Sequence, residues 1–167
     1  MKCVLKLENG KELTVEIDEN TLKSIEEPKK TGYERVERGE TYYCDNGEFV
    51  DWAKEDSEDF DQGLYNNANY YSDRTIAENN VRADALMRKL RRFAVEHRTK
   101  ELDWNNSGQS KWCIVYDYDT NHMYPNAWRA LRFCGIYLFD TKETARAAIE
   151  EFKDELLWYF TEYRDSL

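Results

Sequence analysis

Histidine, proline and glycine are scarce in this chain. Its 167 residues include two histidines, two prolines and seven glycines. Neither His97 nor His122 lies in an HExxH or HxH pattern, and no GxSxG, P-loop or GxGxxG motif is present. These absences argue against zinc peptidases, nucleophile-elbow hydrolases and common nucleotide-binding enzymes. We therefore expect a protein that acts by binding another macromolecule, without catalysis and without a cofactor.

The cysteines show no metal-binding pattern. Cys3, Cys44, Cys113 and Cys134 are widely separated, and no CxxC pair occurs. Structural zinc sites usually take their ligands from close pairs. We expect four reduced and mostly buried thiols and no metal site.

A calcium loop is excluded on similar grounds. The segment 117–121 reads Asp-Tyr-Asp-Thr-Asn, which matches the start of such a loop. The sixth position, which requires glycine, is His122, and the twelfth, which requires glutamate, is Trp128. We interpret the segment as a solvated turn.

Long apolar runs are also missing. No stretch approaches the roughly 18 apolar residues that a membrane span requires. The first eight residues, MKCVLKLE, lack the apolar core of a signal peptide. We expect no membrane association and a cytoplasmic location.

Acidic and aromatic residues are abundant instead. There are 34 acidic residues against 24 lysines and arginines, a net charge of −10, and 14% of the residues are aromatic. The aromatic content favours a folded core. The net charge disfavours general binding to nucleic acid or anionic membranes. It serves either solubility or the recognition of a basic surface.

The hydrophobic pattern predicts an α+β fold. Alternation over residues 2–7 and 13–17 around Asn9-Gly10 indicates an N-terminal hairpin. A strand at 41–44, a turn at 45–47 and a strand at 49–52 come next. After an acidic loop and a short strand at 69–71, a helix is predicted over 75–98 with Asp73 as its cap. Strands are then predicted at 111–116, 128–133 and 135–139, with a turn at 117–125. A final helix is expected from Asp140, its cap, to Tyr163.

Two segments of the chain resemble each other. Residues 70–77 (YYSDRTIA) parallel residues 138–145 (LFDTKETA) at a constant offset. We interpret this as a duplicated strand–strand–helix unit, in which two amphipathic helices cover antiparallel sheets. We expect a single domain over 1–167, with a hairpin segment at 1–27 and units at 33–100 and 110–165.

Several strings resemble small accessory proteins of phages and mobile elements of Gram-positive bacteria, over about residues 33–163. The strings are GETYY at 39–43, NYY at 69–71, KWCIVY at 111–116, GIY at 135–137 and the helix ending DEL at 154–156. The resemblance implies a setting in the cytosol of a bacterial host. Inhibitors of host defence, including anti-CRISPR proteins, are common in that setting. It transfers no functional residue.

An acidic run is the first candidate site. Nine acidic residues and one lysine lie between Glu40 and Asp61. Such a run is either a solvated loop or a phosphate-like string of carboxylates that meets an arginine-rich groove. The candidate partner-binding residues are Asp51, Glu55, Asp56, Glu58, Asp59 and Asp61.

A basic helix face is the second candidate site. Seven basic and two acidic residues lie between Arg82 and Lys100. This face either neutralises nearby acids or contacts nucleic acid directly. The candidate nucleic-acid-binding residues are Arg88, Arg91 and Arg92.

Together these observations predict a non-enzymatic inhibitor. Its partner would be a host defence protein that processes nucleic acid and carries a basic surface, with a CRISPR effector nuclease as one candidate. The alternative is a DNA- or RNA-binding accessory factor that uses the basic helix face. The sequence leaves the partner's identity and the oligomeric state open.

Overall fold

Three antiparallel hairpins and four helices make up the described part of the chain. The computed structural model describes residues 2–6, 10–16, 30–132, 137–163 and 165. The α+β class predicted from the sequence is confirmed. The strands are β1 (Lys2–Lys6), β2 (Glu12–Glu16), β3 (Thr41–Asp45), β4 (Val50–Lys54), β5 (Lys111–Asp117) and β6 (His122–Trp128). The helices are α1 (Asp59–Asn66), α2 (Arg74–Glu96), α3 (Lys142–Glu151) and α4 (Lys153–Thr161).

The predicted N-terminal hairpin is present. Strand β1 pairs with β2 in a register that sets Lys2 opposite Glu16 and Lys6 opposite Glu12. Gly10 lies in the connection with a φ of 77°, a conformation that glycine adopts without strain. The rest of the predicted hairpin segment, residues 17–27, lies outside the described residues.

The second hairpin, β3 with β4, also follows the prediction. Tyr42 and Cys44 are buried on one face of β3. Tyr43, between them, pairs with Tyr71 through two backbone hydrogen bonds of 2.9 Å. The segment before α2 therefore adds a single residue pair to the free edge of β3.

The third hairpin corrects the sequence prediction. Strand β6 occupies His122–Trp128, most of which was predicted to be a turn, and no strand follows over residues 129–132. Pro125 is tolerated within β6 because β6 is an edge strand, where a missing N–H breaks no ladder. Of the strand predicted at 135–139, Gly135 and Ile136 lie outside the described residues. Phe139 alone pairs, with Trp112.

Helix α2 packs against both predicted units. Asp73 caps it, because the Asp73 carboxylate accepts a hydrogen bond of 3.0 Å from the backbone N–H of Ile76. Ile76 and Ala77, at its start, pack on the β3–β4 hairpin. Leu86, Leu90 and Ala94 belong instead to the core that contains Phe139 and the buried residues of α3 and α4. One helix of 23 residues is therefore shared between two cores.

The predicted C-terminal helix is two helices with a different cap. Thr141 caps α3, accepting a hydrogen bond of 3.0 Å from the N–H of Thr144, so the assignment of Asp140 as the cap was wrong. The helix then breaks at Phe152, whose φ and ψ of −112° and 25° are not helical. Phe152 is only half-buried, whereas Ala145, Ala148, Ile149 and Leu156 are fully buried.

The cap at Thr141 gives a testable expectation. Thr141→Ala removes the acceptor for the Thr144 N–H and should lower the free energy of unfolding by about 1 kcal/mol. Thr141→Ser should retain most of that stability. Urea unfolding followed by circular dichroism measures both, and an alanine variant as stable as the serine variant would contradict the assignment.

The two units share an arrangement of hydrogen bonds at a constant offset, as the predicted duplication requires. Thr31 and Thr99, 68 residues apart, are each held by a carboxylate that accepts from the threonine backbone N–H, from its hydroxyl and from the following N–H. Glu34 supplies the carboxylate in the first unit and Asp140 in the second. The paired residues Tyr71 and Phe139, like the caps Asp73 and Thr141, keep the same offset of 68.

The β3–β4 and β5–β6 hairpins each bury a cysteine, on β3 and on β5 respectively. Cys44 and Cys113 are buried and free, and burial raises the pKa of each thiol. Cys134 and the side chain of Cys3 lie outside the described part. The two described thiols are therefore small core residues at equivalent places.

Candidate functional site

The six candidate acids do not share one environment. The segment expected to be an acidic loop contains helix α1, which begins at Asp59. Glu55 and Asp61 are buried, with 2% and 3% of their surfaces exposed, and this corrects the expectation that they lie on a solvated surface. The other four are exposed: Asp51, Asp56, Glu58 and Asp59.

Glu55 is the centre of a buried polar network. Arg35 donates to it through two nitrogens, Nε at 3.1 Å and Nη2 at 2.9 Å. The Tyr70 hydroxyl donates at 2.8 Å and the backbone N–H of Ser57 at 2.8 Å. The hydrogen bond from Arg35 lowers the pKa of Glu55 most, and the bonds from Tyr70 and Ser57 lower it further. Glu55 is therefore ionised and fully engaged inside the protein.

Asp61 is held in a similar way on the first turn of α1. The buried Tyr42 hydroxyl donates to it at 2.7 Å, and the backbone N–H of Asp56 donates at 2.9 Å. The hydrogen bond from Tyr42 is the main reason that the pKa of Asp61 falls to about 2. The Tyr42 and Tyr70 rings stack with their centroids 4.2 Å apart, which joins the two carboxylate sites.

The exposed segment between these anchors is short and well defined. Residues 56–60 are all exposed, with Phe60 at 65%. The Asp56 side chain accepts from the N–H of Glu58 at 3.0 Å, and Ser57 has a φ of 67°. Arg35 also reaches α1, through a 2.6 Å hydrogen bond to Gln62. We call residues 56–60 the acidic segment. It is fixed at both ends by buried carboxylates.

No local pattern in the sequence identifies the residues that hold this segment in place. Arg35 lies 20 residues before Glu55, and Tyr42 lies 19 before Asp61. Such pairs depend on the tertiary fold, since no local spacing rule connects them. The alternation of Tyr42 and Cys44 on β3 could have identified Tyr42 as buried, but not its carboxylate partner.

The basic helix face is partly neutralised within the chain. Arg88 lies 4.0 Å from Asp45, and Arg92 lies 4.0 Å from Glu96. Lys89 makes a closer pair with Glu155, at 2.8 Å. Arg91 is exposed and makes no ion pair within the described residues. The structure therefore places the three arginines on the exposed face of α2, and Arg91 is the one that remains available to an external anion.

The remaining polar motifs have structural roles. The His97 ring stacks on Phe93 with centroids 4.0 Å apart, and its Nδ1 lies 2.9 Å from the Phe93 carbonyl oxygen at the end of α2. Asp117 accepts hydrogen bonds from the N–H groups of Asp119 and Thr120, which closes the turn between β5 and β6. Within the residues that the structure describes, no group of three histidine, cysteine or acidic side chains could hold a metal ion.

Comparisons with known proteins add no relative. Protein-family models, curated proteins and solved structures all gave no match to this chain. Among the described helices, none is long and apolar enough to cross a membrane.

Proposed function

We propose that this protein is a non-enzymatic inhibitor of the kind carried by phages, which binds a host defence protein that processes nucleic acid. A CRISPR effector nuclease is the leading candidate partner. The observation that carries the proposal is the acidic segment, whose exposed carboxylates are held in place by the buried anchors Glu55 and Asp61. Asp51, exposed on β4, is a further candidate contact for the same partner.

The physical argument is preorganisation. A binding surface that is already ordered loses less conformational entropy when its partner docks. Carboxylates in a fixed arrangement can meet arginine and lysine side chains that otherwise contact phosphates. The net charge of −10 attracts a basic partner from a distance and speeds encounter. The acidic segment is therefore suited to bind a basic protein surface that normally contacts nucleic acid.

One observation favours the alternative function. Arg91 lies exposed between Arg88 and Arg92 on helix α2, with no ion pair among the described residues. A DNA- or RNA-binding accessory factor would use these three arginines against phosphates. Binding to bare nucleic acid would then weaken steeply with added salt, because phosphate contacts release counterions.

Affinity capture from a nuclease-treated bacterial lysate tests the proposal. The wild-type chain should retain a host nucleic-acid-processing protein after nuclease treatment. The triple variant Asp56→Lys, Glu58→Lys and Asp59→Lys should retain at least about tenfold less, because its charges repel the basic partner. All three side chains are exposed, so the fold should persist.

Two matched variants complete this test. Glu143→Lys, Glu150→Lys and Glu151→Lys change the net charge equally on exposed positions of α3 and should leave capture nearly intact. The triple variant Arg88→Glu, Arg91→Glu and Arg92→Glu should also leave capture nearly intact. Loss of capture in the α2 variant alone would favour the nucleic-acid-binding alternative. An equal loss in both acid-to-lysine variants would show that only the net charge matters.

A further inference from the structure

A cleft between α2 and the second unit contains none of the candidate residues of either charged surface. It has a volume of about 400 Å³ and lies among β5, α2 and α4. Its floor is formed by Leu90, Phe139 and Leu156, which are buried. None of its described lining residues carries a charge, although 35% of the chain's residues are charged. The cleft is therefore an apolar concavity on a highly charged protein.

Helix α4 forms one wall of this cleft, through Leu156, Tyr159 and Phe160. It begins after the non-helical Phe152, at the break that separates it from α3. At its far end the Tyr118 hydroxyl donates a 2.8 Å hydrogen bond to the carbonyl oxygen of Phe160. The Tyr116 ring stacks on Phe160, with centroids 5.6 Å apart and planes 15° apart. These contacts bring α4 and the end of β5 together and close one end of the cleft.

The polar groups of the cleft are few and neutral. The hydroxyls of Tyr116 and Tyr118 bind Asn121 and the Phe160 carbonyl. The hydroxyls of Tyr137 and Tyr159 have no hydrogen-bond partner among the residues that the structure describes. An apolar pocket with a small number of polar groups is the usual form of a small-molecule site, and 400 Å³ lies in the usual range of volume.

We propose that this cleft binds a small, uncharged, flat aromatic molecule that carries a hydrogen-bonding group. Aromatic rings of Tyr116, Tyr159 and Phe160 line it, and such rings pair favourably with a flat aromatic ligand. A charged ligand would lose its hydration without meeting an opposite charge. The hydroxyls of Tyr137 and Tyr159 would bind the ligand's polar group. This site is independent of the proposed function.

A pair of fluorescent probes tests both the site and its preference. N-phenyl-1-naphthylamine is neutral, and 1-anilinonaphthalene-8-sulfonate has the same aromatic skeleton with a negative charge. Titration of the full chain should give saturable one-to-one binding of the neutral probe. The sulfonate should bind at least about tenfold more weakly, because no cation lines the cleft. Unsaturable binding, or equal affinity for the two probes, would overturn the proposal.

Variants locate the binding. Ile114→Trp should fill the cleft and reduce the affinity for the neutral probe at least tenfold, whereas Val95→Trp, at an exposed position of α2 outside the cleft, should not. Equal affinities in these two variants would refute the location. Should Ile114→Trp fail to fold, the nearly isosteric double variant Tyr137→Phe with Tyr159→Phe decides. It should bind the neutral probe several-fold more weakly, and unchanged binding counts against the site.

Discussion

Replacing Arg35 with methionine is expected to lower the free energy of unfolding at neutral pH, because the buried Glu55 carboxylate loses its cation. The substitution keeps much of the side-chain length but leaves the Glu55 carboxylate buried without its cation. Removing one member of a buried ion pair is costly because the remaining charge stays away from water. The Arg35 side chain is itself 29% exposed, so water screens part of its charge, and the cost should be smaller than for a fully buried pair.

The loss should depend on pH in a defined direction. In the wild type, the pKa values of Glu55 and Asp61 are lowered by folding. Their ionised forms therefore stabilise the fold above the unfolded-state pKa, and this stability is lost as the pH falls toward the folded values, about 2 for Asp61. Without Arg35, burial should raise the pKa of Glu55 instead. The difference between variant and wild type should then shrink steadily from pH 7 to pH 3.

Urea unfolding at a series of pH values measures this difference. Arg91→Met provides the control, since Arg91 is exposed and makes no ion pair in the described part of the chain. It should change stability by less than about 0.5 kcal/mol at every pH. A cost for Arg35→Met that stays constant with pH would show that lost packing, and not the carboxylate, explains the effect.

Phe139→Ala is expected to cost more, about 3 to 5 kcal/mol. The ring is 1% exposed and belongs to the core shared by α2, α3 and α4. Its truncation leaves a cavity under the strand pair with Trp112, where the backbone hydrogen bonds are 2.6 and 2.9 Å long. The loss should appear as a lower midpoint of thermal and urea unfolding.

Alanine substitutions at two less buried phenylalanines provide reference values for the stability loss of Phe139→Ala. Phe60→Ala, with the ring 65% exposed, should change stability by less than about 0.5 kcal/mol. Phe152→Ala should fall between the two, because Phe152 is half-buried at the helix break. If Phe139→Ala cost no more than Phe60→Ala, the position of Phe139 in the core would be incorrect.

Local signals in the sequence predicted the hairpins and helices well where the pattern was complete. The β1–β2 hairpin follows from strict alternation around Asn9-Gly10, and the β3–β4 hairpin from a similar pattern around Gly47. Asp73 and the apolar stripe that follows predicted α2. In each case the residues that decide the structure lie within a few positions of one another, so sequence spacing is sufficient.

Two errors in the predicted elements have the same physical cause. The turn predicted at 117–125 included Pro125, but an edge strand accommodates this proline, and β6 begins six residues and ends five residues earlier than the strand predicted at 128–133. Helix α1 was missed because its two inward positions are Asp61 and Leu64, and a buried aspartate hides the apolar period. Both errors arise because the tertiary position of a residue overrides its usual preference.

The cap of α3 could have been predicted from the duplication. The alignment of 70–77 with 138–145 sets Asp73 opposite Thr141, and both residues are caps. The local preference for aspartate at a cap selected Asp140 instead. Asp140 corresponds to Ser72, and its carboxylate holds Thr99.

The candidate site was predictable only in part. The exposed acids Asp56, Glu58 and Asp59 lie where the charge pattern indicated. The burial of Glu55 and Asp61 depends on Arg35, Tyr42 and Tyr70, which come from elements distant in sequence. The acidic residues of this run therefore have two different roles, buried anchor and exposed candidate contact. Only the folded structure distinguishes them.

Helix α2 has a consequence for how the molecule unfolds. It is about 35 Å long by the rise of an α-helix, and each half of it completes a different core. Opening either core would expose the apolar side chains of the same helix to water. We therefore expect the two units to unfold together as one cooperative unit, although each has its own hairpin. The backbone amides in the middle of α2 should then exchange with solvent only when the whole protein unfolds.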